Sequence, residues 1–212
     1  MRLFESEMSH RIKFIYSILL VFFLVHTTAF FAKFGAARAS VVDTSELKQN
    51  IRSLATGTQN GIKAATDSRI AINGAVRKLE KANPVKKLSS TEKLDGSWKL
   101  VYTTNEGSSA GKLGPFVGDV IQDIDLSTKK YVNFVRLPFI EGALTATWDA
   151  LNDKTWRVKF ESIKFSIAGI PIVKKELQAE GIWRLSYVDD DLRVLYAQGG
   201  KSSTENIYIL SK

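Results

Sequence analysis

The sequence contains no cysteine, and its only two histidines are His10 and His26. Without cysteine, neither a disulfide framework nor a thiolate metal site can form. Both histidines lie in an N-terminal segment that we expect to be removed. The mature protein would then lack the usual group for proton transfer near neutral pH, and Ser-His and Cys-His nucleophiles are excluded. These absences favour a non-catalytic protein with no metal and no cofactor.

Basic residues outnumber acidic ones, and the formal net charge is +8. The apolar fraction of 44% is that of an ordinary globular protein, so we do not expect disorder. Paired lysines occur at 86–87, 129–130 and 174–175, far apart along the chain. A basic surface can attract nucleic acid, anionic lipid or an acidic partner. Because no nucleic-acid-binding motif accompanies it, we expect a solvated surface or contact with anionic lipid, and no nucleic-acid partner.

Residues 1–29 have the pattern of a secretory signal peptide. A basic lead precedes an uncharged apolar run at 14–25, and small residues follow that run. The run is short for a spanning helix, which needs about 20 apolar residues, so we favour an uncleaved anchor less. Residues 30–42 are basic, free of acids and rich in small residues, like a transit peptide. Together the two segments resemble the bipartite leader of algae with secondary plastids, which predicts a plastid protein.

Residues 43–90 are predicted to form a helical lead-in of two short helices. Apolar residues recur at helical spacing, and Asn83-Pro84 ends the second helix. We expect Asp67 to cap the start of that second helix. The inward-facing residues would be Leu47, Ile51 and Leu54 in the first helix and Ile70, Val76 and Leu79 in the second. We expect the helices to cover one end or edge of a sheet.

Residues 91–212 read as consecutive strands with alternating apolar and polar positions, joined mostly by hairpin turns. This pattern predicts a mainly β protein of the α+β class, in which two helices precede an eight-stranded antiparallel up-and-down barrel. Such a barrel can hold one small apolar ligand, and its closure removes exposed strand edges. The predicted strands are 94–104, 120–126, 131–137, 144–151, 155–162, 177–188, 192–197 and 205–211.

Two longer connections interrupt the predicted strands, at 105–117 and 164–175. The first is rich in glycine and serine, whereas the second is apolar although it occupies a loop position. We favour a plug that packs into the open end of the barrel for the second segment; the alternative is a lip that touches a membrane. The residues of such a lip would be Phe165, Ile167, Ile170, Ile172, Lys174 and Lys175.

Five short stretches resemble successive signatures of the fibrillins, the plastid lipid-associated proteins, in the order of that family. They are 55–61, 79–84, 94–104, 118–122 and 187–193. The resemblance implies a lipocalin-like fold and association with plastoglobules or thylakoids. It also implies binding of prenylquinones, carotenoids or other lipids. The polar loop at 198–204 is longer than the family's usual glycine turn, so the subgroup and its ligand stay open.

Within this resemblance, Gly96 and Trp98 match the Gly-x-Trp of lipocalin-type barrels. Arg193 is placed where such barrels stack an arginine over that tryptophan. Gly96 also stands at the entrance of its strand, where a missing side chain would allow close approach to the backbone. The residues expected in the barrel interior, as the candidate ligand site, are Trp98, Leu100, Tyr102, Phe134, Trp148, Trp156, Val158, Phe160, Trp183, Leu185 and Tyr196.

Three functions are compatible with the sequence. The first is non-catalytic binding, storage or transport of a hydrophobic plastid molecule, with a lipid or prenyl-lipid ligand. The second is a structural protein that coats lipid droplets at a plastid membrane or plastoglobule surface, or supports a prenyl-lipid biosynthesis enzyme. The third and least favoured is a lipocalin-type pigment- or lipid-modifying enzyme. Its only acidic clusters would be Asp123 with Asp125 and the turn at 189–191.

Overall fold

The computed structural model describes residues 44–200 and 204–212. The expected signal peptide, 1–29, and the transit-like stretch, 30–42, lie outside the described residues. Two helices come first, α1 (Thr44–Ala55) and α2 (Thr66–Lys81), followed by two 3-10 turns, Leu88–Ser90 and Glu92–Leu94. Within the described part of the chain, no helix is both long and apolar enough to cross a membrane.

The strands that follow close into an antiparallel barrel of eight members, in the order β1-β10-β9-β8-β7-β6-β5-β4. The two shortest strands, β2 and β3, form a separate small sheet. The prediction of two helices before a closed eight-stranded barrel is confirmed. The strand bounds are β1 Gly96–Thr103, β2 Lys112–Leu113, β3 Phe116–Val117, β4 Asp119–Asp125, β5 Lys130–Arg136, β6 Ile140–Asn152, β7 Thr155–Ile167, β8 Ile170–Val188, β9 Leu192–Gly199 and β10 Asn206–Ser211.

One end of the barrel, which we call the closed end, is sealed by the two 3-10 turns. Leu88 and Leu94 from these turns are fully buried in the interior core. The indole Nε1 of Trp156 donates to the carbonyl of Ser89 at 3.0 Å, and that of Trp98 donates to the carbonyl of Leu94 at 2.9 Å. Both tryptophans therefore bury their apolar bodies while their only polar group is satisfied.

The helices pack on the outer wall of the barrel, not on an end or an edge as we expected. Their buried face joins the outward residues of β1, β8, β9 and β10 in a second core, where Ile51 and Leu79 contribute fully buried side chains. The expected inward position of Ile70 is wrong, because that side chain is exposed and Ile72 is buried instead. The cap is wrong too: α2 begins at Thr66 without a side-chain cap, and Asp67 lies inside the first turn.

The acidic turn between β8 and β9 fastens α1 to the barrel. Asp189 Oδ2 accepts hydrogen bonds from Lys48 Nζ at 2.8 Å and from the Tyr187 hydroxyl at 2.5 Å. Its other oxygen accepts the backbone amides of Asp191 and Leu192. Burial alone would raise the pKa of Asp189, but the hydrogen bonds from Lys48 and Tyr187 outweigh it and hold the pKa well below its usual range. This acidic cluster is a structural tether.

Strands β6, β7 and β8 extend beyond the barrel at its other end, which we call the mouth. Pairing of β8 with β9 begins only at Gly181, so that residues 170–180 of β8 pair with β7 alone. Bulges at the level of Phe160 mark the base of this extension. At its tip the amide of Ala168 donates to the carbonyl of Phe139 at 2.8 Å, which joins the two hairpin tips. The expected plug at 164–175 is therefore wrong: that segment is mostly strand.

Candidate functional site

The mouth of the barrel contains a cavity of about 140 Å³, which we call the inner cavity. It has one wall of neutral hydrogen-bonding groups and one wall of apolar groups, and no described lining residue is acidic. The polar wall is formed by Asn105, Ser109, Gln122, Tyr131, Asn133, Gln198, Asn206 and Tyr208. The apolar wall is formed by Leu144, Phe160, Trp183, Leu195 and Ala197, and Gly199 at the end of β9 also lines the cavity.

A second space of about 70 Å³, the outer cavity, adjoins the inner one on the side of the extension. The two share Ser109, Asn133 and Leu144 as lining residues. Beyond that junction the outer cavity is mainly apolar, with Val135, Leu113, Ile163 and Phe165. A Cβ at Gly142 would stand 3.1 Å from the Phe165 ring, so the glycine makes room for that ring. A polar compartment thus continues into an apolar one that runs along β6 and β7.

The loop at 105–118, and not the segment at 164–175, covers part of the mouth. It contributes Ser109 to both cavities. Asn60 holds this loop, because its side-chain Nδ2 donates to the carbonyl of Ala110 at 2.9 Å and to that of Gly118 at 3.0 Å. Asn60 has a φ of 60°, a left-handed conformation that asparagine tolerates better than most residues. This tether gives a physical role to the stretch 55–61.

Below the inner cavity the barrel is filled by aromatic side chains. Trp148 and Trp156 stack with ring centroids 4.3 Å apart, and Trp156 lies 6.4 Å from Trp183 in a near-parallel arrangement. Tyr131 packs on Trp183 at 4.8 Å. The barrel is therefore neither empty nor fully filled: its aromatic core is packed, and the inner and outer cavities lie at the mouth.

Arg193 is fully buried on β9, and its Nη2 donates to the inner-cavity residue Gln122. Its guanidinium Cζ is 5.0 Å from the ring centroid of Trp98, in the stacked position that the family resemblance implies. Lys212 Nζ lies 4.9 Å from the same ring. Gly96 has a φ of 99°, and no atom lies within 4 Å of the position of a Cβ. The expectation of a close approach at Gly96 is therefore wrong; the glycine serves the backbone conformation.

Most of the predicted interior residues do lie in the barrel core. Of these, only Phe160 and Trp183 line the inner cavity, whereas the others fill the core below it. That group comprises Trp98, Leu100, Trp148, Trp156, Val158 and Leu185.

Three of the predicted interior residues, Tyr102, Phe134 and Tyr196, do not belong to the barrel interior. A bulge after Leu100 turns Tyr102 outward, where it joins the core beneath the helices. Phe134 occupies the opposite phase of β5 from the cavity residues Tyr131 and Asn133, and Arg136 covers its ring.

Tyr196 also lies on the outward face of its strand, β9. It alternates with Leu195 and Ala197, which line the inner cavity, and its own ring lies outside under the guanidinium of Arg184 at 3.9 Å. The outward residues of β9, such as Val194, pack against the helices. Both faces of β9 carry apolar side chains, so the aromatic side chain of Tyr196 does not indicate which face points into the barrel.

The polar cavity residues Gln122, Asn133 and Ser109 were not predicted from the sequence. A signal existed, because Gln122 stands between Val120 and Ile124 on the buried face of β4, where a polar residue needs a partner. Asn133 interrupts the buried face of β5 in the same way.

Six apolar side chains at the tip of the extension are exposed, and we call them the lip: Phe139, Ile140, Ile167, Ile170, Ile172 and Val173. Phe139 is 74% exposed and Ile170 is 65% exposed. Residues 162–175 carry three lysines, Lys164 among them, and no acid. Lys174 and Lys175 are exposed as expected, but Phe165 is half-buried in the outer cavity and is not part of the lip.

No group of three or more His, Cys, Asp or Glu side chains in 44–200 and 204–212 is arranged to hold a metal ion. What the mouth offers is hydrogen bonding to a compact polar group, next to an apolar path that leads to an exposed apolar tip.

Comparison with known proteins places this architecture in a plastid context. A family model described as PAP_fibrillin matches residues 45–205. The probable plastid-lipid-associated protein 5, chloroplastic, of Arabidopsis thaliana is 28% identical over 156 residues, which cover 73% of this chain and 66% of that protein. No solved structure gives a significant match.

Two further relatives carry related names. The plastid-lipid-associated protein 6, chloroplastic, of Arabidopsis thaliana is 25% identical, and the match covers 73% of this chain and 67% of that protein. The chromoplast-specific carotenoid-associated protein C1 of an Oncidium hybrid cultivar is 29% identical, over 60% of this chain and 42% of that protein. The chain thus spans about two thirds of the length of the Arabidopsis relatives and less than half of the Oncidium one.

Proposed function

This chain belongs to the PAP_fibrillin family, and on that premise we propose that it binds single amphiphilic lipid molecules at a plastid membrane or plastoglobule surface, without catalysis. The relatives are named for plastid lipid or carotenoid association, and their names state no enzymatic activity. The proposal needs no cofactor. Thylakoids and plastoglobules, in an alga with secondary plastids, are the setting that we propose from the leader sequence.

The observation that carries this proposal is the pair of adjoining cavities, an inner one with a polar wall and an outer one that is mainly apolar, with Leu144 at their junction. An amphiphile has the same two parts in the same order. Its head would accept hydrogen bonds from Asn133 and Gln122, and its chain would follow the apolar wall toward Phe165. Desolvated polar groups in the inner cavity need such a partner, or water, to compensate their burial.

The volumes limit how much of the ligand enters the barrel. Pockets for drug-sized ligands usually measure about 300–1,000 Å³, whereas the inner cavity measures about 140 Å³. A compact head and the start of one chain fit, and the remainder of the chain would stay along the lip or in the lipid phase. Lipids with a small polar head, prenylquinones among them, fit this description better than an apolar carotenoid, which would leave the amides unpaired.

The lip supports contact with a lipid surface. Exposed contiguous apolar side chains such as Phe139 and Ile170 are costly in water and mark interaction sites. Lys175, together with Lys174, which pairs with Glu176 at 2.8 Å, is next to them and would lie near anionic head groups. In this arrangement the mouth opens toward the membrane that supplies the ligand.

A second candidate function is a coat or scaffold that uses the lip without any bound ligand, including support of a membrane-associated prenyl-lipid enzyme. The filled aromatic region favours this candidate, because stacked Trp148 and Trp156 leave no space for a large guest. The two candidates differ in whether a soluble amphiphile binds saturably at the mouth.

The deciding experiment titrates the protein with decyl-plastoquinone and follows quenching of tryptophan fluorescence, since Trp183 lines the inner cavity. Leu144→Phe fills the junction and is expected to weaken binding at least about ten-fold. Leu151→Phe is the matched control, because Leu151 lies on the same strand, near its far end, and is 44% exposed. Saturable quenching that Leu144→Phe does not affect, or no saturation at all, would remove the mouth as a binding site and leave the scaffold.

A further inference from the structure

Arg193 is a buried side chain whose hydrogen-bonding capacity is mostly unused. It has no exposed surface, and its Nη2 donates to Gln122 Oε1 at 2.5 Å. The remaining donors Nε and Nη1 have no hydrogen-bond partner among the described residues. Buried donors without a partner are rare in folded proteins, and each one requires an explanation, such as a bound water, an ion or a functional role.

Among the described residues, no carboxylate forms an ion pair with Arg193 either. Its contacts are the amide of Gln122 and the indole face of Trp98, and the described residues that line the adjacent cavity include no carboxylate. Burial lowers the pKa of Arg193 to about 9, so the guanidinium still carries its charge at neutral pH. An isolated buried cation is strongly unfavourable unless a counter-ion compensates it.

Arg193 is connected to the inner cavity through three of the cavity's lining residues. Gln122 accepts its hydrogen bond, Leu195 is the next residue on the same face of β9, and Tyr131 interacts with it electrostatically. A ligand that displaces the Gln122 amide, or binds beside it, would therefore meet the guanidinium at the base of the inner cavity.

We propose that the amphiphile bound at the mouth is a long-chain carboxylic acid, with its carboxylate paired to Arg193 and Gln122 at the base of the inner cavity and its chain in the outer cavity. This inference rests on the proposed function and specifies the head group. Arginine binds carboxylates through two parallel hydrogen bonds, which would use donors that are now free. A phosphoglyceride head with two chains is too large for about 140 Å³.

The first test compares three single-chain probes by isothermal titration calorimetry with the full chain: hexadecanoic acid, its methyl ester and hexadecanol. We expect the acid to bind at least about ten-fold more tightly than either neutral probe, the range of a charge-assisted hydrogen bond. If acid and neutral probes bind equally, the carboxylate inference is overturned while the proposed function stands. If none of the three binds, the carboxylate inference is overturned, and the decyl-plastoquinone titration decides the proposed function separately.

The second test supplies the missing counter-ion from the protein itself. Gln122→Glu is nearly isosteric and would place a carboxylate on Arg193, so we expect the thermal midpoint to rise by about 3 °C and the preference for acid over ester to disappear. Asn133→Asp is the matched control, since it adds the same charge to the same cavity, whereas the described hydrogen bond of Arg193 goes to Gln122. It should lower the midpoint.

A fall in the midpoint for Gln122→Glu would mean that Arg193 is already compensated, which would overturn the inference without any ligand measurement. Arg193→Met tests the cation directly. We expect it to bind the methyl ester as the parent chain does and to lose the preference for the acid. Retention of that preference would contradict the pairing.

Discussion

The two ends of the barrel are built from the same strands but with opposite chemistry. At the closed end, Leu88, Leu94 and Trp156 exclude water, and the indole donors find backbone acceptors. At the mouth, Asn133 and Gln122 face a space that no side chain fills. The closed end is therefore tightly packed, whereas the mouth carries polar groups that would be unfavourable in a packed core.

The largest expected effect comes from one aromatic truncation made at each end. Trp156→Ala removes a fully buried indole from the stack, and we expect the free energy of unfolding to fall by about 3–5 kcal/mol. Phe139→Ala removes a ring that is 74% exposed on the lip, and the change should stay within about 0.5 kcal/mol. Urea unfolding of both variants measures the difference. Similar losses would mean that the lip is part of the folded core.

The tether between α1 and the β8–β9 turn should give the next largest effect. Asp189→Asn removes an acceptor from Lys48, and we expect a loss of about 1.5–3 kcal/mol at pH 7. Asp190→Asn is the control, since the Asp190 side chain is 88% exposed and pairs with Lys93 at the surface. It should change the free energy of unfolding little.

The pH dependence of this pair has a definite sign. The pKa of Asp189 is depressed in the folded state. Its contribution to folding stability is therefore present above the unfolded-state pKa of about 3.9 and is lost as the pH falls through the folded-state pKa. The difference in free energy of unfolding between the parent chain and Asp189→Asn should therefore be largest at pH 7 and shrink below about pH 4. A gap that stays constant down to pH 2 would contradict the tether.

Substitutions on β8 compare the lip with the barrel wall. Ile170→Ser removes a lip side chain that is 65% exposed, and we expect partition to vesicles containing anionic lipid to fall roughly five-fold. Ile182→Ser makes the same change at an exposed position beside the barrel proper and should leave partition unchanged. Co-sedimentation with vesicles gives both values. Equal effects would show that the lip has no special role in lipid contact.

The smallest expected effect concerns the loop over the mouth. Asn60→Gly keeps the left-handed backbone but removes two hydrogen bonds to the loop at 105–118. We expect a loss of about 1 kcal/mol and faster amide exchange confined to that loop. Gln59→Gly is the matched control, because Gln59 is exposed and also has a positive φ. Faster exchange at the closed end as well would show that the two ends are not independent.

The strand count could be predicted from sequence because turns and alternation agree. The turns at 127–130, 152–154 and 189–191 each separate two segments of alternating apolar and polar residues. Both the turn residues and the alternation are properties of the local sequence. The extent of β7 and β8 could not be predicted in the same way. Their apolar tip breaks the rule that exposed strands carry polar residues, so the segment at 164–175 looked like a buried plug.

The cavity could not be predicted because an interior face is identified by its apolar residues, whereas several residues that face the cavity are polar. On β5 the apolar rule selects Phe134, whereas the residue that faces the cavity is the polar Asn133. On β1 a single bulge after Leu100 moves Tyr102 to the other face. Such bulges depend on neighbouring strands, which the sequence of one strand does not reveal.

The most direct test of the asymmetry between the two ends is an NMR titration of the isotopically labelled full chain with hexadecanoic acid and, separately, with decyl-plastoquinone. The account predicts saturable shifts at Ser109, Asn133 and Leu144, with resonances of Leu88, Leu94 and Trp156 unchanged. Shifts centred on the closed end or on the helices, or no saturable shifts at the mouth with either probe, would contradict it.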